Sequence, residues 1–403
     1  MWNPPWAKAR PSRSCSPWPN PVTRCTCARM MPTPPDPTPC HPAVMKKAVP
    51  RPRAALRDLK PEPHGAITPG EMERLGLHPS AVLDFSANIN PYGPSPSVRD
   101  ALTHIPIARY PDPDALALRR VLARHLSQSM ENILVGNGVS ELIWLVVLAF
   151  VEPGDRAMVV EPTYGEYARA LRLMAATIVR WRATPDDHFA IHPDAIASRL
   201  NHERPRVVFL CHPNNPTGQL LPLDALATWA DAHPATLFVV DEAYLPFAPG
   251  AESALALNRA NILVLRSMTK AQALAGLRLG FAVGPAPLIH ALRQVQPPWS
   301  VNAAAQAAGV AALADPAWLR ASLARLQKDA QALVQALRAR GWAPHPSATH
   351  FFLLPVEDAS TMRAQLLRRG IVVRDATSFG LPTHIRIAAR TAADNARLLH
   401  ALP

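Results

Sequence analysis

Residues 266–280 read RSMTKAQALAGLRLG and hold the most informative pattern in the chain. Lys270 lies three residues after Ser267 and eight residues before Arg278. An amine that forms a Schiff base, with a hydroxyl and a guanidinium that hold a phosphate, is what pyridoxal 5'-phosphate (PLP) requires of a protein. A single lysine is more often a solvated surface residue, so the interpretation depends on the segments that precede it.

An anion site is predicted at VGNGVSELIWLVV (135–147), which has the pattern of a strand, a glycine turn and a helix. The backbone N–H groups of Gly138, Val139 and Ser140 would open that helix, where unpaired donors and the helix dipole favour an anion. Ordinary helix capping by Ser140 is the alternative explanation.

Three further segments place polar residues at predicted strand ends, where open α/β sheets bind ligands. HPNNPTG (212–218) carries Asn215, and FVVDEAYLPF (238–247) carries Asp241 with Tyr244 three residues later. A carboxylate at the end of an apolar strand needs a cation or strong donor, and a protonated pyridinium nitrogen would serve. PTYGEY (162–167) offers Tyr164 as a ring-stacking aromatic. The alternatives are a plain turn for HPNNPTG, a helix cap for Asp241 and an aromatic at the rim of the core for Tyr164.

Composition excludes several classes of protein. The 403 residues are 48% hydrophobic and 18% charged, enough for a large core and two or three domains. No apolar run reaches the roughly 18 residues of a membrane span, so we expect a cytoplasmic protein without a membrane partner. The net charge of +12 is concentrated in residues 1–60, which hold 11 Lys and Arg against two Asp. The rest carries only about +3, so a nucleic-acid partner is not expected.

Cysteine usage is also uneven, because four of the five cysteines precede residue 41 and only Cys211 lies beyond it. One cysteine in the body indicates a reduced, cytosolic protein, and the spacing of the others predicts no metal site.

The chain divides into a tail and an α/β body. Residues 1–63 are rich in Pro and Arg without apolar periodicity, which predicts a disordered tail, or an over-extended start with the true beginning near Met45. Alternating strand and helix patterns from Val82 predict a mostly parallel sheet sandwiched by helices. We expect an N-terminal arm at 64–95, a large PLP-binding domain at 96–298 and a small C-terminal α+β domain at 299–403.

With these residues in place, residues 64–403 resemble the fold-type I PLP enzymes of the aspartate aminotransferase superfamily. The resemblance implies a Schiff-base role for Lys270, a pyridinium partner in Asp241, and donors to the phenolate oxygen in Asn215 and Tyr244. It also implies a homodimer in which Tyr110 reaches the cofactor of the neighbouring subunit. It implies a phosphate-binding role for Val139, Ser140, Ser267 and Arg278. It also implies that Tyr164 stacks on the cofactor ring and that Arg386 binds the substrate carboxylate.

Two branches of the superfamily compete. HG (64–65), LDFSANINP (83–91), RYPD (109–112), LRSMTK (265–270), QPPWSVNA (296–303) and IRIAARTAADNARLL (385–399) are most similar to the threonine-phosphate decarboxylases of cobalamin biosynthesis. The expectation is a lyase that converts L-threonine O-3-phosphate to (R)-1-amino-2-propanol O-2-phosphate. The alternative is a histidinol-phosphate aminotransferase. His350 departs from both branches, which would carry Asn there.

The substrate-binding residues are less constrained by the sequence. Arg386 is expected to hold the substrate carboxylate, helped by Asn90 from FSANINP. Arg169, Arg390 and His64 are candidates for the substrate phosphate, although each could equally be a solvated surface charge. A transcription regulator of the same superfamily is the non-enzymatic alternative, but residues 1–63 show no helix-turn-helix pattern.

Overall fold

The computed structural model describes residues 50–56, 59, 65, 67–76 and 78–403. Most of the predicted tail, the alternative start at Met45 and the candidate ligand His64 lie outside these residues. Within the part of the predicted tail that is described, Ala54–Leu56 form one turn of 3-10 helix. The neighbouring Arg53 donates a 3.0 Å hydrogen bond to the carbonyl of Leu173.

The described residues form twelve α-helices and twelve strands. The helices are α1 (Pro69–Arg74), α2 (Pro96–Leu102), α3 (Leu116–Leu126), α4 (Gly138–Phe150), α5 (Glu166–Leu173), α6 (Pro193–Glu203), α7 (Leu223–Ala232), α8 (Ala286–Val295), α9 (Ala303–Ala314), α10 (Pro316–Ala339), α11 (Ala359–Arg368) and α12 (Ala392–Ala401). The strands are β1 (Leu83–Asp84), β2 (Ile133–Gly136), β3 (Arg156–Glu161), β4 (Thr177–Arg182), β5 (Val207–Cys211), β6 (Leu237–Asp241), β7 (Ile262–Ser267), β8 (Gly280–Val283), β9 (Phe351–Pro355), β10 (Ile371–Val372), β11 (Arg374–Asp375) and β12 (His384–Ala388).

A seven-stranded sheet forms the centre, in the order β2-β8-β7-β6-β5-β3-β4. β8 alone runs opposite to the other six strands, so the predicted mostly parallel α/β sheet is confirmed. β5 and β6 are buried at every position, as expected for parallel strands covered on both faces. The edge strand β4 was not predicted, because its TIVRWR sequence alternates charged with apolar residues and only Val179 is buried.

Strand alternation divides the core into two layers. Phe209 and Val239 pack against α4, α5 and α8 on one face. Val208 and Val240 pack against α6 and α7 on the other. Because helices cover both faces, ligands reach this sheet only at the ends of its strands.

A smaller antiparallel sheet, β11-β12-β9, belongs to the small C-terminal domain. Its core joins α10, α11 and α12 and includes Phe85, which directly follows β1. β1 pairs in parallel with β10, and the Ala388 amide donates to the Phe85 carbonyl at 2.8 Å. This pairing fixes the start of the segment Ser86–Asn90, and the Asn90 amide donates to the Lys270 carbonyl at its end.

No helix among the described residues is long and apolar enough to cross a membrane.

Candidate active site

A cavity of about 370 Å³ opens beyond the carboxyl ends of β5, β6 and β7. β6 ends at Asp241 and β7 at Ser267, three residues before Lys270, so consecutive strands deliver these side chains to one edge. The residues expected from the sequence that line the cavity are Val139, Ser140, Tyr164, Asn215, Asp241, Tyr244, Ser267, Lys270, Arg278 and Arg386.

Lys270 is largely buried and lies near positively charged side chains. Burial, with the positive charges of Arg386 and Arg278, lowers the pKa of Lys270 to about 8, while Asp241 opposes the shift. An amine is nucleophilic only when it is neutral, so this environment favours the form that attacks a carbonyl.

Asp241 is only 4% exposed at the end of its strand. Its Oδ2 accepts a 2.6 Å hydrogen bond from the Tyr167 hydroxyl, and its Oδ1 accepts from the Ala243 amide at 2.9 Å. Burial raises the pKa of Asp241 to about 6, and the two hydrogen bonds oppose that shift. A carboxylate of this kind is completed by a cation, and a protonated ring nitrogen supplies one.

The start of α4 forms the end of the cavity that suits an anion. Gly138 has a φ of +80°, and a Cβ there would lie 2.8 Å from a terminal nitrogen of Arg278. The guanidinium therefore lies directly over the glycine turn, with Val139, Ser140 and Ser267 on the same wall. Amides at a helix N-terminus, hydroxyls and a guanidinium together are a donor set that suits a phosphate dianion.

Arg386, on β12 of the small domain, closes the opposite end. It is 4% exposed, it donates to the side-chain oxygen of Asn215, and it donates to the Ser86 carbonyl at 2.5 Å. Burial lowers the pKa of Arg386 to about 10, so the side chain stays cationic at neutral pH. Within the described residues it forms no ion pair, and its Nε has no hydrogen-bond partner. A buried cation in this state is suited to an anionic ligand.

These features match the chemistry of PLP along the whole cavity. The turn at Gly138 would hold the phosphate, Asp241 would face the pyridinium nitrogen, and Lys270 would bind the aldehyde. The Oδ1 of Asn215 accepts from Arg386, so its Nδ2 would be available to donate to the phenolate oxygen, as would the Tyr244 hydroxyl. Burial raises the pKa of Tyr244, so that hydroxyl remains a donor.

Three residues expected at the substrate lie away from the cavity wall. Asn90 donates to the Ala271 carbonyl at 3.0 Å and to Ser322 at 2.9 Å, so its amide fastens the loop after Lys270 to α10. Arg390 pairs with Asp394 at 3.0 Å.

Arg169, the third of them, pairs with Glu166 at 3.2 Å and lies over the Trp144 ring. Its predicted contact with substrate has no support from this placement, and the same holds for Asn90 and Arg390. Each of the three side chains is bonded to a nearer protein group, although the Nε of Arg169 has no partner within the described residues.

Tyr110 is 81% exposed, and its ring stacks on Trp299 with centroids 4.7 Å apart. A residue that serves a neighbouring subunit would be exposed in a single chain, but its contact with that subunit stays a prediction.

Several lining residues were not anticipated, among them Asn88, Tyr167, Arg374, Ser378 and Phe379. Tyr167 stands three residues after Tyr164 in PTYGEY, so the second tyrosine of that segment was the available signal. It lies in α5, whereas Tyr164 precedes the helix. Asn88 lies two residues before Asn90 in the segment Ser86–Asn90, and in this segment it is Asn88 that lines the cavity. Asn88 is 1% exposed, and neither amide atom makes a hydrogen bond within the described residues, although the side chain lies near Tyr244.

His350, which departs from both related branches, lies behind the cavity rather than in its wall. Its ring packs on Phe247 with centroids 4.1 Å apart. Burial and the charge of Arg386 lower the pKa of His350 to about 3, so it is a neutral side chain.

Comparison with known proteins agrees with this geometry. A model of the family described as aminotransferase class I and II matches residues 80–402. Histidinol-phosphate aminotransferase from Moorella thermoacetica is 32% identical over 363 residues, which cover 88% of this chain and 92% of that protein.

Two solved structures share the fold. Histidinol-phosphate aminotransferase from Sinorhizobium meliloti, in complex with PLP, has a TM-score of 0.78 and 26% identity, over 89% of this chain and 98% of that one. L-threonine-O-3-phosphate decarboxylase from Porphyromonas gingivalis has a TM-score of 0.70 and 28% identity, over 79% of this chain and 97% of that one.

Proposed function

The chain belongs to the aminotransferase class I and II family, and from that premise we propose that it is a PLP enzyme acting on a small amino compound that bears a phosphate ester. The observation that supports the substrate class is a second buried cation. Arg278 suffices for the cofactor phosphate, yet Arg386 also lines the cavity, and it forms no ion pair among the described residues. The substrate must therefore bring at least one anionic group of its own.

Bound PLP supplies an electron sink for bonds at the Cα of the amino compound. The residues of the protein position the reacting groups and move protons. Asp241 would keep the proton on the ring nitrogen, and Tyr164 would stack on the ring. Lys270, once released, would accept or deliver the proton at Cα, because its lowered pKa leaves the amine able to do both near neutral pH.

Amino transfer from histidinol phosphate is the first candidate reaction. The related aminotransferase from Moorella thermoacetica covers most of this chain, and the same activity is named for the Sinorhizobium meliloti structure. These relatives support the alternative expectation from the sequence better than they support a decarboxylase.

Decarboxylation of L-threonine O-3-phosphate is the second candidate, favoured by a separate observation. LDFSANINP, one of the segments that resemble the decarboxylases, supplies Ser86, Ala87 and Asn88 to the cavity wall. A segment that resembles the decarboxylase branch therefore lines the space available to the substrate. A decarboxylase structure also shares the fold.

The two reactions differ in which bond at Cα is held perpendicular to the cofactor ring. A decarboxylase must place the carboxylate there, and Arg386 is a group able to hold it. Histidinol phosphate has no α-carboxylate, so in an aminotransferase the same arginine would bind the substrate phosphate or the carboxylate of the amino-group acceptor.

One assay separates the candidates. The PLP-loaded protein is incubated with histidinol phosphate plus 2-oxoglutarate, and separately with L-threonine O-3-phosphate, while glutamate and carbon dioxide are followed. The first candidate predicts glutamate and no carbon dioxide. Carbon dioxide from threonine phosphate, without glutamate from histidinol phosphate, would replace it with the second candidate.

A further inference from the structure

Three histidines outside the catalytic cavity form a continuous chain of hydrogen bonds. His188 Nδ1 lies 3.1 Å from His345 Nδ1, and His345 Nε2 lies 3.2 Å from His384 Nε2. The chain ends at Thr383, whose hydroxyl lies 3.2 Å from His384 Nδ1. We call the three imidazoles the histidine clasp. None of them has a role in the functional site described above.

The histidine clasp joins segments that are far apart in the sequence. His188 follows the edge strand β4, His345 precedes β9, and His384 is the first residue of β12. The Phe189 ring packs beside the clasp, with its centroid 5.1 Å from that of His345. Phe189 also shares a hydrophobic cluster with Phe379, which lines the catalytic cavity. The clasp therefore holds the segment after β4 against the small domain, next to the cavity wall.

The number of bound protons decides whether the chain can close. A neutral imidazole has one N–H donor and one acceptor nitrogen, so three neutral rings can donate in one direction along the whole chain. One extra proton is also compatible, because a doubly protonated His345 can donate to both neighbours. With two extra protons, at least one pair of facing nitrogens carries a hydrogen on each side. That hydrogen bond is then replaced by a repulsion between like charges.

Burial determines the pH range in which these protons are taken up. His345 is 9% exposed and His384 is 5% exposed. Burial, with the charges of the neighbouring histidines, lowers the pKa of His345 to about 4, and burial also lowers the pKa of His384. An exposed histidine titrates near about pH 6.5. Between about pH 6.5 and 4, the opened clasp therefore binds more protons than the closed one, so acid favours opening.

The charged and titratable residues around the clasp do not neutralise it. They are Asp186 and Asp187 before His188, Arg338 on α10, His350 before β9, Arg374 on β11 and Arg386 on β12. Asp187 pairs with His192 at 2.6 Å. Among the described residues, the imidazoles of the clasp bond only to one another, to Thr383 and, through His188 Nδ1 or His384 Nε2, to the ring of His345. An added proton on the clasp therefore meets no paired carboxylate.

We propose that the histidine clasp is a pH-sensitive latch, which holds the segment after β4 on the small domain at neutral pH and releases it on taking up two protons. Release would loosen the packing of Phe189 on Phe379 and with it one wall of the catalytic cavity. Because the first extra proton is compatible with the closed chain, release should depend on pH more steeply than a single titration. The latch does not depend on which reaction the cavity catalyses.

Hydrogen exchange of the PLP-loaded protein, followed by mass spectrometry from about pH 7 to about pH 5, tests the latch. Protection factors, which correct for the intrinsic effect of pH on exchange, are compared for residues 183–190 and 377–384. We expect them to fall about a hundredfold or more, while β5 and β6 keep their protection. The fall should exceed one power of ten for each pH unit in the steepest part of the curve.

Two variants separate the latch from a general effect of acid. His345→Gln keeps a donor and an acceptor but cannot titrate, so its protection should fall at least about tenfold less than in the native protein. His202→Gln, the matched control, removes an exposed histidine of α6 and should behave like the native protein. Low protection of both segments at every pH in His345→Gln would also support the latch, because the bonds of His345 would then be what closes it.

Three results would overturn the latch. The first is protection in the native protein that does not change with pH. The second is a fall of the same size in His345→Gln. The third is a slope of no more than one power of ten for each pH unit, which would contradict release by two protons.

Discussion

The two halves of the catalytic cavity are built differently. The half that suits the cofactor comes from one sheet, with Asp241 and Ser267 at adjacent strand ends and Gly138 at the start of α4. The half that suits the substrate brings together Ser86 and Arg386, which are 300 residues apart and meet through a hydrogen bond. The first half depends on the fold of the large sheet alone, whereas the second depends on how β1 and β12 pack beside it.

The largest expected effect tests the cofactor half. Lys270→Ala should reduce activity by at least about 10⁴-fold, because no other amine among the described lining residues can replace it. Borohydride reduction followed by mass spectrometry should find no cofactor joined to the variant chain. Cofactor mass attached at another lysine would show that the assignment is wrong.

Asp241→Asn tests the same half through charge. The cofactor should still bind, but kcat should fall by the equivalent of about 3–6 kcal/mol, because an amide cannot keep the ring nitrogen protonated. Tyr167→Phe is the companion variant, since it removes only the 2.6 Å hydrogen bond to Asp241, and its loss should be much smaller. Near-normal turnover in the Asn variant would contradict the role of the carboxylate.

Arg386→Lys tests the substrate half. Lysine keeps the charge but loses the fork that reaches Asn215 and Ser86 together, so KM for the anionic substrate should rise by about ten- to a hundredfold, or about 1.5–3 kcal/mol. Cofactor binding, followed by absorbance, should be much less affected. A loss of cofactor binding without a change in KM would show that Arg386 serves the cofactor rather than the substrate.

The smallest effect on catalysis is expected at Asn90. Asn90→Ala should leave KM within about twofold while lowering the free energy of unfolding by about 1–3 kcal/mol, because the acceptors on Ala271 and Ser322 lose their buried donor. Thermal unfolding and steady-state kinetics measure the two quantities. A large rise in KM with unchanged stability would restore Asn90 as a substrate ligand.

The difference between the halves also explains what the sequence could predict. Every parallel strand except the charged edge strand β4 had a recognisable apolar pattern, and residues such as Asp241 follow those patterns directly. The sheet and most of the cofactor half were therefore predictable. Arg386 was found only through resemblance to known enzymes, and Arg374 was not found at all.

The predictions that failed share one physical cause, because they depend on contacts and turns that exist only in the folded chain. Whether Asn88 or Asn90 faces the cavity depends on the turn of the segment between β1 and α2, which no local periodicity specifies. The charges of Arg169 and Arg390 could be counted from the sequence, but the carboxylates that pair with them could not be identified until the chain was folded.

The central claim is that the cavity serves an amino compound that bears a phosphate ester, and its most direct test compares each candidate substrate with its dephosphorylated parent. The measurement is kcat/KM of the PLP-loaded protein for histidinol phosphate against histidinol, and for threonine phosphate against threonine. We predict that one phosphorylated compound is preferred at least about a hundredfold over its parent, since losing charge-assisted bonds to buried arginines costs about 3 kcal/mol or more. Equal values within both pairs, or turnover confined to amino acids without phosphate, would contradict the account.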